Sequence, residues 1–279
     1  MARLGTRVLF ELDELQVVAT HWHRDEHPST SSAEAPMAII ELLEHGSFVK
    51  HRSREPECVD RNAIAYFNPG ERFRIEHPLG ADNAGLWIQI GAGWWETNAM
   101  EVDPELPFRR STSASSFAAD LMRRRLAKRL GDGPRADPLG VEEALHEVIA
   151  HALCAHEGAS RSHLDRRRPS GRMTQRVAAA RAFLAETFRR KLSLTDVASV
   201  VGGSSFALCR AFAALTGGSI HQHIVSLRLR AALDEIEDGC HDLTALALRC
   251  GFASHAHFTA SFRAAYGRTP SGTRRESRA

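Results

Sequence analysis

The sequence predicts an α+β chain in three parts: a small N-terminal β-barrel or sandwich, a helical hairpin, and a C-terminal all-α domain with two helix-turn-helix units. Three observations carry this. From Val8 to about Ile90, short apolar segments alternate with Gly, Pro, Asn and Ser, the rhythm of short strands joined by turns. After Pro107 the apolar residues recur at helical spacing. Between Leu192 and Arg275 one helical unit is written twice.

At 279 residues the chain is long enough for two domains with cores of their own. The boundaries read from it are 1–110 for the strand-rich domain, 111–157 for the hairpin, 158–171 for a linker and 172–279 for the helical domain.

Strands are expected at Val8 to Phe10, Leu15 to Thr20, Met37 to Leu43, Ser47 to His51, Ala63 to Phe67, Phe73 to Glu76 and Leu86 to Ile90. His45-Gly46 reads as the closing turn of a hairpin, and Asn68-Pro69-Gly70 as a second turn. A small barrel can enclose one ligand when its interior is not filled. Its candidate inward groups are Glu41, Arg72, Arg74, Trp87 and Gln89. An Arg among apolar neighbours clamps a carboxylate; the alternative is a surface pair with Glu71 or Glu76. Trp94-Trp95 is expected to cover the barrel edge or to pack on the helices that follow.

Phe117, Leu121, Leu126 and Leu130 mark one side of the first hairpin helix, with Arg123, Arg124, Arg125, Lys128 and Arg129 on the other. The second helix, Leu139 to Glu157, presents Val141, Leu145, Val148, Ile149, Ala152 and Leu153 at helical spacing. Gly158 to Gly171, with Arg166-Arg167-Arg168-Pro169-Ser170-Gly171, has the composition of a solvated linker. Met173 to Phe188 then reads as a helix burying Val177, Ala180, Phe183, Leu184 and Phe188.

In the repeat, Leu194, Thr195, Ala198 and Gly202 meet Leu243, Thr244, Ala247 and Gly251 at an offset of 49, and Ser204, Phe212 and Gly217 meet Ser254, Phe262 and Gly267 at an offset of 50. Ser193, with Asp196 three residues on, and Asp242 suit helix starts, where a side-chain oxygen accepts from free N–H groups. Gly202-Gly203 and Gly251 suit the turn that follows, Ser204 and Ser254 cap a second helix, and Gly217 and Gly267 end it. Between the copies, Ser219 to Glu237 reads as a rigid helical spacer of roughly 27 Å, comparable to the approximately 34 Å between successive major-groove openings on one face of DNA.

The net charge of +2 hides an asymmetry. From Arg172 onward there are 15 Arg and Lys against 8 Asp and Glu, whereas the first 171 residues hold 21 against 26. Phosphate is therefore expected to meet the C-terminal domain. A solvated charged face is the alternative for the charge pattern taken alone.

Leu192-Ser193-Leu194, Val197-Ala198, Phe212, Leu227-Arg228-Leu229, Gly251-Phe252-Ala253-Ser254, Phe258, Phe262-Arg263 and Gly267-Arg268-Thr269-Pro270-Ser271 resemble the AraC/XylS family of bacterial transcription regulators. The resemblance covers about 100 residues, from the Met173 helix to the end of the repeat. It implies sequence-specific binding of double-stranded promoter DNA, control by a small-molecule effector, contact with RNA polymerase, and no cofactor. In relatives of this kind a hairpin such as 111–157 pairs two subunits, so a homodimer is expected; the alternative is that its apolar faces cover the barrel. Phe67-Asn68-Pro69-Gly70-Glu71, with His77-Pro78 beyond it, resembles the cupin-type sensor domain that often precedes this DNA-binding half.

Matched to the family's pattern, Phe206, Cys209 and Arg210 point into the major groove, beside Ser205. Arg210 has the planar fork that fits O6 and N7 of guanine, and Phe206 suits a thymine methyl. The family often has a longer polar residue at the Cys209 position. In the second reading helix the outward residues are His255, Ala256, His257, Thr259 and Ala260, with Arg263 and Arg268 as phosphate contacts or local helix-end partners. Ala260 departs from the longer residues found there in the family, so this helix is expected to discriminate bases less sharply.

A metal-dependent cupin enzyme fused to a DNA-binding half is the alternative function. His21, His23 and Glu26 imitate the first part of a cupin metal motif, but Phe73 stands where the second part would supply a ligand, and no metal or catalytic residue is assigned. A DNA binder of architectural type, needing no ligand, is a third reading. Five cysteines, Cys58, Cys154, Cys209, Cys240 and Cys250, lack CxxC spacing, which argues against a disulfide framework or structural zinc. With no secretory pattern and no apolar run of membrane length, a reduced cytoplasmic location away from membranes is expected.

Overall fold

A computed structural model describes residues 5–22, 31–51, 56–77, 82–98, 102–131, 137–162 and 171–276. The described strands form two antiparallel sheets. The larger has the order β1 (Gly5–Leu12), β2 (Leu15–Trp22), β9 (Asn83–Ile90), β4 (Ala38–His45), β7 (Ala63–Phe67), β10 (Thr112–Ala114). The smaller has the order β3 (Ser31–Glu34), β8 (Arg72–Glu76), β5 (Ser47–His51), β6 (Pro56–Asp60).

Side chains alternate across a strand, and this sorts the larger sheet into two buried faces. Ile39, Leu43, Ala65 and Phe67 point between the sheets and meet Phe48, Val59, Phe73 and Ile75. Val17, Ile40, Leu42, Ile64 and Ile88 point the other way, onto Trp95 and the hairpin. A sheet buried on both faces reads as near-continuous apolar sequence, and β4 is buried from Ala38 to Leu43.

Three short strands were not expected from the sequence. β6 carries Glu57 and Asp60 in an otherwise short apolar run, and β3 and β10 are four and three residues of small or polar character. Their backbone pairing with β5, β8 and β7 supplies what the pattern does not. His45-Gly46 joins no hairpin: β4 and β5 belong to different sheets, so the turn carries the chain from one to the other. Gly46 has φ +76°, and a Cβ there would stand 2.2 Å from the carbonyl oxygen of Asp82.

The hairpin is α2 (Phe117–Gly131) and α3 (Pro138–Ser162), preceded by α1 (Ala92–Asn98), which carries Trp94 and Trp95. Its apolar face covers the barrel: Leu145 and Ile149 are 0% and 1% exposed, in one core with the larger sheet. The face expected to pair subunits is thus filled within one chain. α2 also departs from its expected two-sided pattern. Ala119 and Leu126 enter the barrel-side core, while Phe117 and Leu121 pack on the second helix-turn-helix unit. Arg123, expected on a solvated face, is 2% exposed at the contact between domains. α3 runs on to Ser162, into the segment read as linker; 163–170 lie outside the described residues.

The C-terminal domain is α4 (Gly171–Thr187), α5 (Leu194–Val201), α6 (Ser205–Thr216), α7 (Ile220–Glu237), α8 (Leu243–Arg249), α9 (His255–Tyr266) and α10 (Pro270–Glu276). The signals written in the repeat are realised in order. Ser193 and Asp196 form a reciprocal capping box, Asp242 accepts from the N–H groups of Thr244 and Ala245, and Ser204 and Ser254 cap α6 and α9. Each such cap contributes about 1 kcal/mol. Gly251 has φ +86°, and a Cβ there would meet the Arg189 carbonyl oxygen at 2.7 Å, so the turn of the second unit needs glycine on two counts.

Each unit has its own core. Val177, Leu184, Val197, Leu208, Phe212 and Leu227 form the first; Leu233, Leu246, Phe258, Phe262 and Tyr266 belong to the second. α7 contributes to both. Among the described residues no single helix is long and apolar enough to cross a membrane.

Candidate nucleic-acid interface

α6 and α9 each follow a short helix and a glycine turn, and each turns a face outward. On α6, Phe206 is 72% exposed, an unusual state for a large apolar side chain, and Arg210 is exposed one turn on. The Arg210 guanidinium lies 5.7 Å from the centroid of the Phe206 ring. Ser205 is half-buried. Cys209 is half-buried too and packs against the first unit's core. The sequence placed it outward by matching positions; it stands at the edge of the exposed face, partly covered.

On α9, His255, Ala256, His257, Ala260 and Arg263 are exposed. His255, Ala256, Thr259, Ala260, Arg263 and Thr269 line a shallow, open depression. Thr259 is half-buried, and its hydroxyl oxygen is buried with no hydrogen-bond partner among the described residues. It offers no free hydroxyl to a base edge in this arrangement. The His257 ring lies edge-on to Phe252, 5.4 Å between centroids, and its backbone N–H donates to the Ser254 hydroxyl, at the flank of the face. Arg268 is turned to Glu276, with which it forms an ion pair.

The two faces are related position by position. Phe206 and Arg210 correspond to Ala256 and Ala260, and Ala213 to Arg263. The large aromatic and the guanidinium stand near the start of α6, whereas α9 carries its guanidinium in the last turn.

The barrel interior is a second candidate site. The register places Glu41 opposite Trp87 and Ile39 opposite Gln89, so all three expected polar or aromatic groups share the face between the sheets. Arg72 and Arg74 do not. In β8 the inward positions are Phe73 and Ile75, which leaves Arg72 paired with Glu34 in solvent and Arg74 exposed.

The interior cation is Lys50, which the sequence reading passed over although it alternates with inward Phe48. Lys50 is 1% exposed, donates to the Tyr66 carbonyl at 2.5 Å, pairs with Glu71 at 2.8 Å and stands 3.6 Å above the Phe67 ring. Glu71 in turn accepts from the Asn68 N–H, while the Asn68 amide exchanges two hydrogen bonds with the Phe108 backbone.

Glu41 is 3% exposed, and burial pushes its carboxyl up to about 7 against the pull of the Trp87 indole and Lys50. Glu41 Oε2 and Trp87 Nε1 are near enough to influence one another, yet neither makes a full hydrogen bond among the described residues. Buried polar atoms left in this state are costly unless something partners them.

Of the imitated metal motif, His21 lies edge-on to His45, 6.2 Å between ring centroids. His23 and Glu26 lie outside the described residues. Among the described residues no group of three or more His, Cys, Asp or Glu is placed to hold a metal ion.

A family described as a helix-turn-helix domain matches residues 197–276. The HTH-type transcriptional activator RhaS of Salmonella arizonae is 24% identical over 241 residues, which is 83% of this chain and 82% of that protein. RhaS of Salmonella typhimurium matches to the same extent, 24% over 241 residues. Among solved structures, a regulator with an AraC-type DNA-binding domain from Chromobacterium violaceum is 26% identical over 37% of this chain and 92% of its own, with a TM-score of 0.35. ToxT from Vibrio cholerae is 11% identical over 95% of this chain and 99% of its own, with a TM-score of 0.36.

Proposed function

We propose that this chain is a DNA-binding transcription regulator of the AraC/XylS type, that α6 is its principal base-reading helix and that a small molecule held in the barrel modulates it. The observation that carries the first part is the uncovered Phe206–Arg210 face on a capped helix in the basic domain. A guanidinium matches guanine O6 and N7 in the major groove, and an apolar face matches a thymine methyl. α9 enters a neighbouring turn of double-stranded promoter DNA with His255, Ala256 and Ala260 at its face. Arg263 there meets phosphate, which adds affinity without sequence information.

For the effector, Glu41, Lys50, Trp87 and Gln89 are the groups of the barrel interior, in place of the set that included Arg72 and Arg74. A buried carboxyl and an unsatisfied indole N–H suit a polar, hydroxyl-bearing or amine-bearing molecule that completes their hydrogen bonds. Similarity to RhaS, a transcriptional activator, supports activation, and hence action alongside RNA polymerase. A homodimer belongs to the same reading, through surfaces other than the face of Leu145 and Ile149, which the barrel occupies.

Selection of bound duplexes from a random pool by the full chain tests the reading. Enrichment of one sequence with its strongest preference in the half read by α6 is expected. Recovery of unselected sequence would overturn it. Thermal-shift screening of small metabolites with wild type and Lys50→Met tests the barrel: a stabilising compound that loses its effect in the variant is expected.

A further inference from the structure

We propose that the barrel domain is a splint that fixes the two reading helices relative to one another, with Asp60 and Asp120 as positioning residues that pin one helix-turn-helix unit each. This rests on the assignment of α6 and α9 as DNA readers. Asp60 ends β6 and is 0% exposed. Arg181 of α4 donates to both its oxygens, at 3.1 and 2.9 Å, and the His223 ring of α7 stands 2.9 Å from Oδ2. Beside this pin, Val49 and Cys58 of the barrel pack on Ala178 and Ala182 of α4. Since α4 supplies Val177, Ala180 and Leu184 to the first unit's core, the first unit is fastened directly to the smaller sheet.

Asp120 lies on α2 and is 3% exposed. It accepts from the Tyr266 hydroxyl of α9 at 3.3 Å and pairs with Arg230 of α7 at 3.4 Å and Arg61 of the barrel at 3.0 Å. The Phe117 ring of α2 meets the Tyr266 ring edge-on, 5.0 Å between centroids. α2 is itself held to the barrel through Ala119 and Leu126 and through Arg123, which bonds Glu44 at 2.8 Å. The second unit is thereby fastened to the same body by a separate route.

α7, which joins the units, is held along one face between the pins. His223, Ser226, Arg230 and Asp234 follow one another at helical spacing, and the β6–β7 turn engages all four: Asp60 takes His223, Asn62 takes Ser226 and Arg230, and Arg61 takes Asp234 at 2.6 Å. Burial alone would raise the Asp60 carboxyl, but Arg181 and His223 hold it well below the usual carboxylate range; the same contest, won by Arg61, Arg230 and Arg123, holds Asp120 down at about 2. Both pins are charged at neutral pH.

The contact leaves the reading faces open, with Phe206 72% exposed, so it is not a block on DNA. Its geometric effect is to remove freedom between two heads that must enter the duplex together. Holding two binding elements at a matched separation raises the effective concentration of the second once the first is bound, and a loosened connection forfeits that gain.

The test uses the full chain, a duplex selected by the wild type, the same duplex cut to the half read by α6, and a series with one to five base pairs inserted between the halves. Asp60→Asn and Asp120→Asn are the direct variants. Each leaves a buried guanidinium short of an acceptor, so His223→Leu and Tyr266→Phe, which remove one contact from each pin, are measured alongside with melting curves to establish folding. Expected is a loss of about tenfold or more on the full duplex for the direct variants, with little change on the half duplex. Tolerance of the inserted spacings should widen in every folded variant. Equal losses on full and half duplexes, an unchanged spacing profile, or tighter binding by the variants would overturn the splint. A wild type that selects no sequence would overturn the DNA-reading assignment itself, and the splint with it.

Discussion

On the exposed face of α6 the Arg210 guanidinium lies 5.7 Å from the centroid of the Phe206 ring, and fifty residues on the same two positions are Ala260 and Ala256. The ring steers the guanidinium without satisfying its hydrogen-bond donors, so the fork is held near the helix face with its N–H groups available. Arg210→Ala is expected to cost about 1 to 3 kcal/mol on the selected duplex and to relax preference at one base pair. Arg263→Ala should weaken selected and random duplexes alike. Gel-shift titrations on both DNAs decide between these; equal losses for Arg210→Ala would remove it as a base reader.

Leu145 and Ile149 sit in the core between hairpin and sheet rather than on a free face. Leu145→Ala is therefore expected to cost about 2 to 5 kcal/mol of stability through the cavity it leaves. Its sedimentation behaviour should match that of wild type at temperatures where both are folded. Dissociation of an oligomer at unchanged melting temperature would restore the hairpin face as a subunit interface.

Glu41 makes a prediction about pH. Its carboxyl is raised from 4.5 to about 7 by burial, so between those values the folded chain holds a proton that the unfolded chain has released. Stability from this group is full below about 4.5, declines as pH rises, and levels off above about 7. A shift of this size corresponds to roughly 3 kcal/mol. Glu41→Gln keeps the shape and removes the titration, so denaturant midpoints at pH 5 and pH 8 should differ less in the variant than in wild type, by that order. Identical pH profiles would show that the carboxyl stays ionised, paired to Lys50. A stabilising ligand that contacts Glu41 should shift the same profile, which joins this prediction to the effector assignment.

The C-terminal domain was legible because its signals are local. Caps at Ser193, Ser204, Asp242 and Ser254, glycines at the turns, and Phe212 and Phe262 at core positions each act within a turn or two of sequence. The antiparallel β domain was legible as a strand rhythm, and Glu41, Trp87 and Gln89 were brought to one interior face. What the sequence withheld is long-range. Asp60 and Asp120 look like ordinary surface carboxylates until Arg181, 121 residues on, and Tyr266, 146 residues on, are folded against them. Arg123 looked solvated because nothing near it in sequence announces Glu44 or Asp234. Arg72 and Arg74 went astray by one step of strand register, which exchanges every inward and outward side chain. Thr259 was assigned by position on a helix, and only packing reveals that its hydroxyl oxygen is withdrawn.

The last prediction follows from the asymmetry of α6 and α9. Ala256 and Ala260 occupy, on an exposed face of α9, the positions that Phe206 and Arg210 occupy on α6, and both backbones run from a serine cap to a glycine stop. The scaffold for a second reading pair is therefore present without its side chains. Ala256→Phe combined with Ala260→Arg should rebuild it, adding about 1 to 3 kcal/mol of discrimination at a base pair in the half of the site that α9 meets. The comparison is Ala256→Phe with Ala260→Lys, which supplies the same charge without the planar fork. That variant should raise affinity for all sequences and steepen the dependence on salt, since each added cation displaces counterions from the duplex whatever its sequence. Duplex selection with both variants separates the outcomes. If the arginine variant sharpens no position and behaves as the lysine one, α9 does not approach the base edges closely enough to read them, and its part in binding is confined to the phosphates.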